Sequence, residues 1–421
     1  MLFRFSLYGF LKNQRYFEPF LVLAFLEKGL SFFMIGLLIA SRELWVNLLE
    51  VPSGVVADLY GRRRAMMTSF VAYIVSFVIF GLADDLLPLF VAMAFFAVGD
   101  AFRTGTHKAM IFTWLRREGR TDERTRVYGF TRSWSKLGSA LSGVVAAVLV
   151  FVGGSYVWVF WLSTVPYVLG LVNFMGYPAW LDGERPQSAS AGDVARRLWQ
   201  VLKASLSYRP LRRLLAESMG FEGCFHASKG YLQPLLQAAA VAWLGGMALS
   251  EGLDAARQAA LLVGPVYLLL HLLSAWASRR AHGLVTWVGS EEKASRVIWA
   301  MTVLLYGLLF TALLASWHAV AILAFLLLHV VQNLWRPVLI SRLDAWGSER
   351  WGATVLSLEN QAKSLATMIL APLLGLAVDG VSARGLGGEL WPVGLVGLVF
   401  AVGFLIAGRG AMGTPRELPL A

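Results

Sequence analysis

In the stretch GDAFRTGTHKAM, residues 99–110, Asp100, Arg103 and His107 fall on one helical face, with Thr104 and Lys108 beside it. Such a face combines a group that can bind and release a proton with groups that can hold an anion. Arg132 and Lys136 follow one turn apart, and further along come Glu222, His226 and Lys229, then His329, Gln332, Asn333 and Arg336, then Glu359 and Lys363. Glu18 precedes Pro19, and Glu43, Asn47 and Glu50 form a polar stripe at helical spacing. Cations outnumber acids in these stripes, which points to an anionic or carboxylate-bearing ligand. Each group also has a purely structural reading. Glu18 could pair with Arg15, Arg42 could neutralise Glu43, Glu50 could hold a basic loop residue, and Asp100 with Arg103 or Glu359 with Lys363 could pin helices together. Trp134, Trp335, Phe102 and Tyr231 near the stripes offer an amphiphilic wall, although lipid-facing aromatics are commoner.

The surroundings of these residues are oily. Of 421 residues 57% are hydrophobic and 15% charged, with a mean hydropathy of +0.62; ordinary soluble domains carry nearer a quarter charged residues. Apolar runs of about 20 residues recur along the chain, long enough to cross a bilayer as helices, whereas barrel strands would be half as long and alternating. The pattern predicts an all-α membrane protein of twelve transmembrane helices, over 5–27, 32–57, 67–82, 86–115, 127–152, 156–177, 211–236, 259–277, 294–314, 319–340, 354–378 and 391–406. The first apolar stretch lacks a small-residue cleavage site, so it is expected to be a retained helix.

Six spans lie on each side of a polar stretch, giving an N-terminal six-helix bundle over 1–180, a linker over 181–209 and a C-terminal bundle over 210–421. The linker is rich in Pro, Ser and Gly and ends in an amphipathic helix. There Val194, Leu198, Val201, Leu202 and Leu206 would lie on the bilayer surface while Arg196, Arg197 and Lys203 face headgroups. Arg62 to Arg64, Arg116, Arg117, Arg120, Arg124, Arg126, Arg279, Arg280, Arg342, Arg350, Arg409 and Arg416 fall on one side of this arrangement; the other has chiefly Lys28, Arg257 and Arg384. The positive-inside rule puts both termini in the cytoplasm. The excess of +11 thus reads as a topology signal, and no nucleic-acid partner is expected.

The halves share order-preserving similarities: YFEPFL from Tyr16 with YLQPLL from Tyr231, Gly54 to Asp58 with Ser274 to Ser278, Asp100 and Arg103 with Asn333 and Arg336, and Lys136 with Lys363. A duplicated six-helix unit would leave such a trace.

Between the second and third spans stands EVPSGVVADLYGRRRAMM, residues 50–67. Its Gly54-x-x-x-Asp58-x-x-Gly61-Arg62-Arg63 resembles the signature loop of the major facilitator superfamily. Gly54 would allow close helix approach and Gly61 a sharp turn, while Asp58 would place negative charge at the next helix's N-terminus. The resemblance implies a fold of two pseudo-symmetric six-helix bundles, secondary transport by alternating access, and a conformational latch at Gly54, Asp58, Gly61, Arg62 and Arg63. Leu59 stands where many members carry a basic residue. GSALSG, residues 138–143, keeps two glycines of a fifth-helix motif found in many antiporters but no proline, and those glycines could instead serve close packing.

On this resemblance the expected function is proton-coupled efflux of a small organic solute, as symporter or antiporter. Import or uniport of an anionic metabolite remains open. Glu18, Glu43 and Asp100 are the proton-coupling candidates. Arg103, His107, Arg132, Lys136, Glu222, His226, Asn333, Arg336, Glu359 and Lys363 are the substrate-binding or gating candidates. The expected partners are a small-molecule substrate, protons or another coupling ion, and membrane lipids. No cofactor or metal is expected, and the protein is expected to be a monomer in a bacterial inner membrane.

Other classes fit less well. The six histidines form no HExxH pair, Cys224 is the single cysteine, and no GxxxxGK[ST] phosphate loop is present. His329 with Asn333 could serve a membrane-embedded acyltransferase, but an enzyme has no need of matched halves. A channel would require a repeated filter sequence.

Overall fold

The computed structural model describes residues 1–103, 106–182, 192, 196, 199, 203, 207–245, 252–344, 352–385 and 388–407, without the side chains of 51, 55, 58, 59, 125 and 352–354. Thr104, Arg350, Arg409, Arg416, most of the linker and the Asp58 side chain therefore lie outside the described residues.

Among the described residues the chain is helical, with no strand. The helices are α1 (Leu2–Leu11), α2 (Leu21–Glu27), α3 (Phe32–Tyr60), α4 (Arg62–Leu82), α5 (Leu86–Arg103), α6 (Thr106–Arg117), α7 (Arg124–Gly153) and α8 (Trp158–Met175), then α9 (Arg209–Ser218), α10 (Cys224–Ser228), α11 (Leu232–Leu244), α12 (Ala255–Val288), α13 (Glu291–Leu314), α14 (His318–Asp344), α15 (Gly352–Ser382) and α16 (Trp391–Ala407). Nine stretches of the described residues are long and apolar enough to cross a membrane. In lipid a helix satisfies its own backbone hydrogen bonds, which is why apolar runs of this length take that form.

The remaining three expected spans have a different make-up. The twelfth is the 17-residue α16. The first is interrupted, with turns between α1 and α2. The seventh passes from α9 through a π-helical turn, Met219–Gly223, into α10, a 3₁₀ turn at Lys229–Tyr231, and α11. Both YFEPFL and YLQPLL sit at these interruptions. A proline lacks an N–H and is accommodated at least cost before a helix or in its first turn; Pro19 lies just before α2, and Pro234 in the first turn of α11.

The chain forms two compact units: Met1–Gly29, Ser41–Val194 and Leu244–Leu268 make up the first, and Leu30–Ala40, Ala195–Trp243 and Leu269–Ala421 the second. The first is cored by aromatic rings. Tyr73 packs on Tyr167 at 4.9 Å and on Phe96 at 5.1 Å between centroids, and Phe174 on Tyr177 at 4.5 Å. In the second, Phe221 stacks on Trp335 at 4.7 Å and Trp299 on Phe404 at 5.1 Å. Large apolar side chains such as Leu87, Val152 and Leu304 are exposed, as a surface facing hydrocarbon requires. Between such surfaces packing rests on dispersion and close fit, because lipid tails are as apolar as the side chains. Gly138 shows this fit: a Cβ there would lie 2.5 Å from the Phe10 carbonyl oxygen, so α7 and α1 approach at backbone distance.

Candidate functional site

A cavity of about 560 Å³ opens in the first unit. It is built from α1 (Phe5, Tyr8, Gly9), the turn after it (Lys12, Asn13), the end of α5 (Arg103), α6 (His107, Lys108) and α7 (Tyr128, Thr131, Arg132, Ser135, Lys136, Ser139). The α7 contributors recur at three- and four-residue spacing, so one helical face supplies six of the lining side chains. Five cations, Lys12, Arg103, Lys108, Arg132 and Lys136, share this lining with no carboxylate.

Arg103 alone among the five has a described carboxylate partner: it donates to Asp100 at 2.9 Å. Lys12, Lys108, Arg132 and Lys136 have none among the described residues. Lys12 lies 5.4 Å from the Tyr8 ring centroid, and Lys108 5.6 Å from those of both Phe112 and Tyr128, cation–π contacts that leave the ammonium hydrogens available. His107 stacks on Tyr8 at 3.9 Å and meets Phe5 edge-on at 5.4 Å. Its Nε2 is buried without a hydrogen-bond partner among the described residues.

The proton-coupling candidates take up different positions. Asp100 is buried behind the cavity and accepts from Arg42 at 2.6 Å, from Arg103, and from the Tyr73 hydroxyl. The same Arg42 pairs with Glu43 at 3.0 Å, so a single guanidinium links two of the three candidates. Glu18 is separate, 43% exposed and 3.7 Å from Arg15.

In the second unit, Glu359 accepts from Arg336 at 2.6 Å and from the Ser218 hydroxyl, while Arg336 also donates to Asn360 at 3.3 Å. Glu222 meets His226 at 3.4 Å and accepts from Gln332 at 3.3 Å. Asn333 donates to the His329 carbonyl at 2.8 Å and accepts from Ser278 at 3.3 Å. Lys363 lies one turn beyond Glu359 on α15.

At the signature loop, Gly61 adopts φ of +100°, open to glycine at little cost, and joins α3 to α4. A Cβ there would fall 2.7 Å from the Asp182 carboxyl carbon. Asp182 accepts from the Arg63 backbone N–H at 2.7 Å, so a carboxylate does lie at the N-terminus of α4. Arg63 donates to the Tyr177 carbonyl at 3.0 Å and Arg62 to Thr113 at 3.1 Å. Around Gly54 no described atom lies within 4 Å of an added Cβ, so the close approach expected of it is not met among the described residues.

Three groups of residues escaped the sequence reading. Tyr8, Lys12 and Asn13 line the cavity because the first span breaks after α1, which a continuous apolar run conceals. Asp182 lies in what reads as a polar linker. Arg213, Glu217, Glu292 and Arg342 form a compact network in the second unit, with Arg342 and Glu217 both buried at 2.7 Å. Its traces are the Arg213/Glu217 spacing of four and the Ser290-Glu291-Glu292 helix start, where Ser290 caps α13 by accepting from the Lys293 N–H.

A polar, cation-lined cavity lies among helices of bilayer length, an arrangement suited to a membrane transporter. Residues 13–358 match the family model described as Major Facilitator Superfamily, and the chain belongs to that family. A 101-residue segment is 33% identical to an uncharacterized MFS-type transporter of Bacillus subtilis (strain 168), YxaM; the match spans 24% of each chain. The fold is similar to that of the nucleoside transporter NupG, with a TM-score of 0.76 at 11% identity over 97% of this chain and 99% of that one. It is also similar to a peptide transporter, POT (0.68, 16% identity, 97% and 94%), and to a D-xylose-proton symporter (0.63, 15% identity, 96% of each). The protein is thus a multi-pass membrane transporter of a small molecule rather than an enzyme.

Proposed function

We propose that this transporter moves a small organic anion by alternating access, coupled to protons. The observation that carries this reading is the first unit's cavity, in which five cations converge on about 560 Å³ with no carboxylate in the lining. Charged groups within a membrane protein are costly unless they meet water, a counter-charge or a ligand. A carboxylate or phosphate entering the cavity supplies that counter-charge, and each hydrogen bond to a charged group contributes about 1.5–3 kcal/mol. Phe5, Tyr8 and His107 offer an aromatic lining to the apolar body of such a solute, and the volume lies in the range of about 300–1,000 Å³ usual for small-ligand pockets.

In this reading the working unit is a pair of six-helix bundles, 1–180 and 210–421, within twelve spans and joined by the linker. Gly54, Asp58, Gly61, Arg62 and Arg63 latch it at the cytoplasmic face of a bacterial inner membrane, where both termini lie. Movement is outward, as the resemblance of EVPSGVVAD to exporter-like members of the family favours.

Proteoliposomes offered a mixture of small carboxylates, organic phosphates and quaternary ammonium ions test the reading. The expected outcome is movement of anions that depends on an imposed pH gradient. Flux unchanged on collapsing the gradient would remove proton coupling, and movement of the cations alone would remove the anionic substrate.

A further inference from the structure

We propose that the Glu222–His226 pair, in and beside the π-helical turn of the second unit, is where this transporter binds its coupling proton. The proposal rests on the proton-coupled reading above and adds the residues that hold the proton. Glu222 lies within the π-helical turn Met219–Gly223, a local widening of the helix that often marks functional positions. The turn is pressed against α15, since a Cβ on Gly223 would lie 2.5 Å from that of Ala366.

Glu222 is 1% exposed. Its Oε2 accepts from Gln332 at 3.3 Å and faces His226 Nε2 at 3.4 Å, and its Oε1 has no hydrogen-bond partner among the described residues. The His226 side chain is 32% exposed, so the imidazole is the accessible member of the pair and Glu222 the buried one.

Among the described residues the other buried carboxylates are held by permanent cations: Asp100 by Arg42 and Arg103, Glu359 by Arg336, and Glu217 by Arg213 and Arg342. Glu222 has an amide and an imidazole as its close partners, and only the imidazole can change charge in the physiological range. The surrounding charged and titratable groups are Lys229 after α10, His329 and Arg336 on α14, and Glu359 and Lys363 on α15. Helix α16, also packed on the turn, carries no ionisable side chain.

A proton arriving from water at His226 makes an imidazolium, and the 3.4 Å contact becomes a charge-assisted hydrogen bond to Oε2. Its departure leaves a neutral imidazole beside the carboxylate, and the contact loses its charge assistance while the Gln332 bond remains. No other bond is made or broken, and the pair titrates as a unit.

Infrared difference spectra of the full-length protein in lipid vesicles, with isotope-labelled histidine and no substrate, test this between acidic and alkaline pH. The expected result is one transition in which histidine and carboxylate bands change together, abolished in E222Q and in H226Q and kept in D100N. Spectra of E222Q and H226Q that titrate as the unaltered protein does would overturn it. Near-UV circular dichroism checks folding, and if E222Q does not fold, H226Q decides. Because no anion is added, failure of the anionic-substrate reading leaves this result unaffected.

Discussion

In the second unit Arg342 donates to Glu217 at 2.7 Å, to Ser295 at 2.8 Å and to Glu292 at 2.9 Å. In the first unit Lys12, Lys108, Arg132 and Lys136 surround a cavity whose lining has no carboxylate. Both regions place charge inside an apolar protein, yet one neutralises it internally and the other leaves it to what enters. A buried pair fixes structure, because removing one partner strands the other. An unmatched cation beside open volume defines a demand on the ligand instead. The difference separates charges that the protein pairs internally from charges that it leaves beside open volume.

Substitutions can break this comparison or sharpen it. The largest expected effect is that of R342M, which strands Glu217 and Glu292 with Arg213 as their remaining cationic partner. A loss of about 3–5 kcal/mol is expected, read as a lowered midpoint of thermal unfolding in detergent. An unchanged midpoint would mean that the network does not carry the second unit's stability. G138A should cost about 1–3 kcal/mol, the usual range for overpacking, since its Cβ would meet the Phe10 carbonyl; the same scan reads it.

D182A removes the carboxylate at the start of α4 and should cost about 1 kcal/mol, as loss of a helix cap does. Hydrogen exchange should quicken at the Arg63 amide, whose N–H loses its 2.7 Å acceptor, and D182N should restore most of the protection. The smallest change is K136Q, a cavity cation with no described carboxylate partner. Its stability, read from the same scan, should stay within about 0.5 kcal/mol of that of the unaltered protein. A loss as large as that of R342M would place Lys136 among the structural charges and erase the distinction.

The apolar runs made the long helices legible, because a continuous hydrophobic stretch of bilayer length has few other solutions. Asp100, Arg103 and His107 were legible as a group through their helical spacing, and Arg132 with Lys136 through theirs. The structure brings the cations and His107 to one cavity and sets Asp100 behind it. What the sequence concealed were breaks and long-range partners. Nothing in the apolar composition near Met219 signals a π-helical turn. The break after Leu11 turns Lys12 into a cavity residue although its neighbours read as helix. Asp182 serves α4 across more than a hundred residues, and Arg42 reaches Asp100 across 58. Spacing rules see neighbours on one helix, whereas tertiary packing chose these partners.

The central claim is that the first unit's cavity receives an anion. Calorimetric titration of the purified full-length protein with citrate, with pyrophosphate and with tetramethylammonium addresses it directly, alongside the R132Q/K136Q double variant. The account predicts that an anion binds, that tetramethylammonium does not, and that the double variant loses at least about tenfold in affinity, the equivalent of about 1.4 kcal/mol. Binding of tetramethylammonium without either anion, or anion binding equally tight in the double variant, would contradict it.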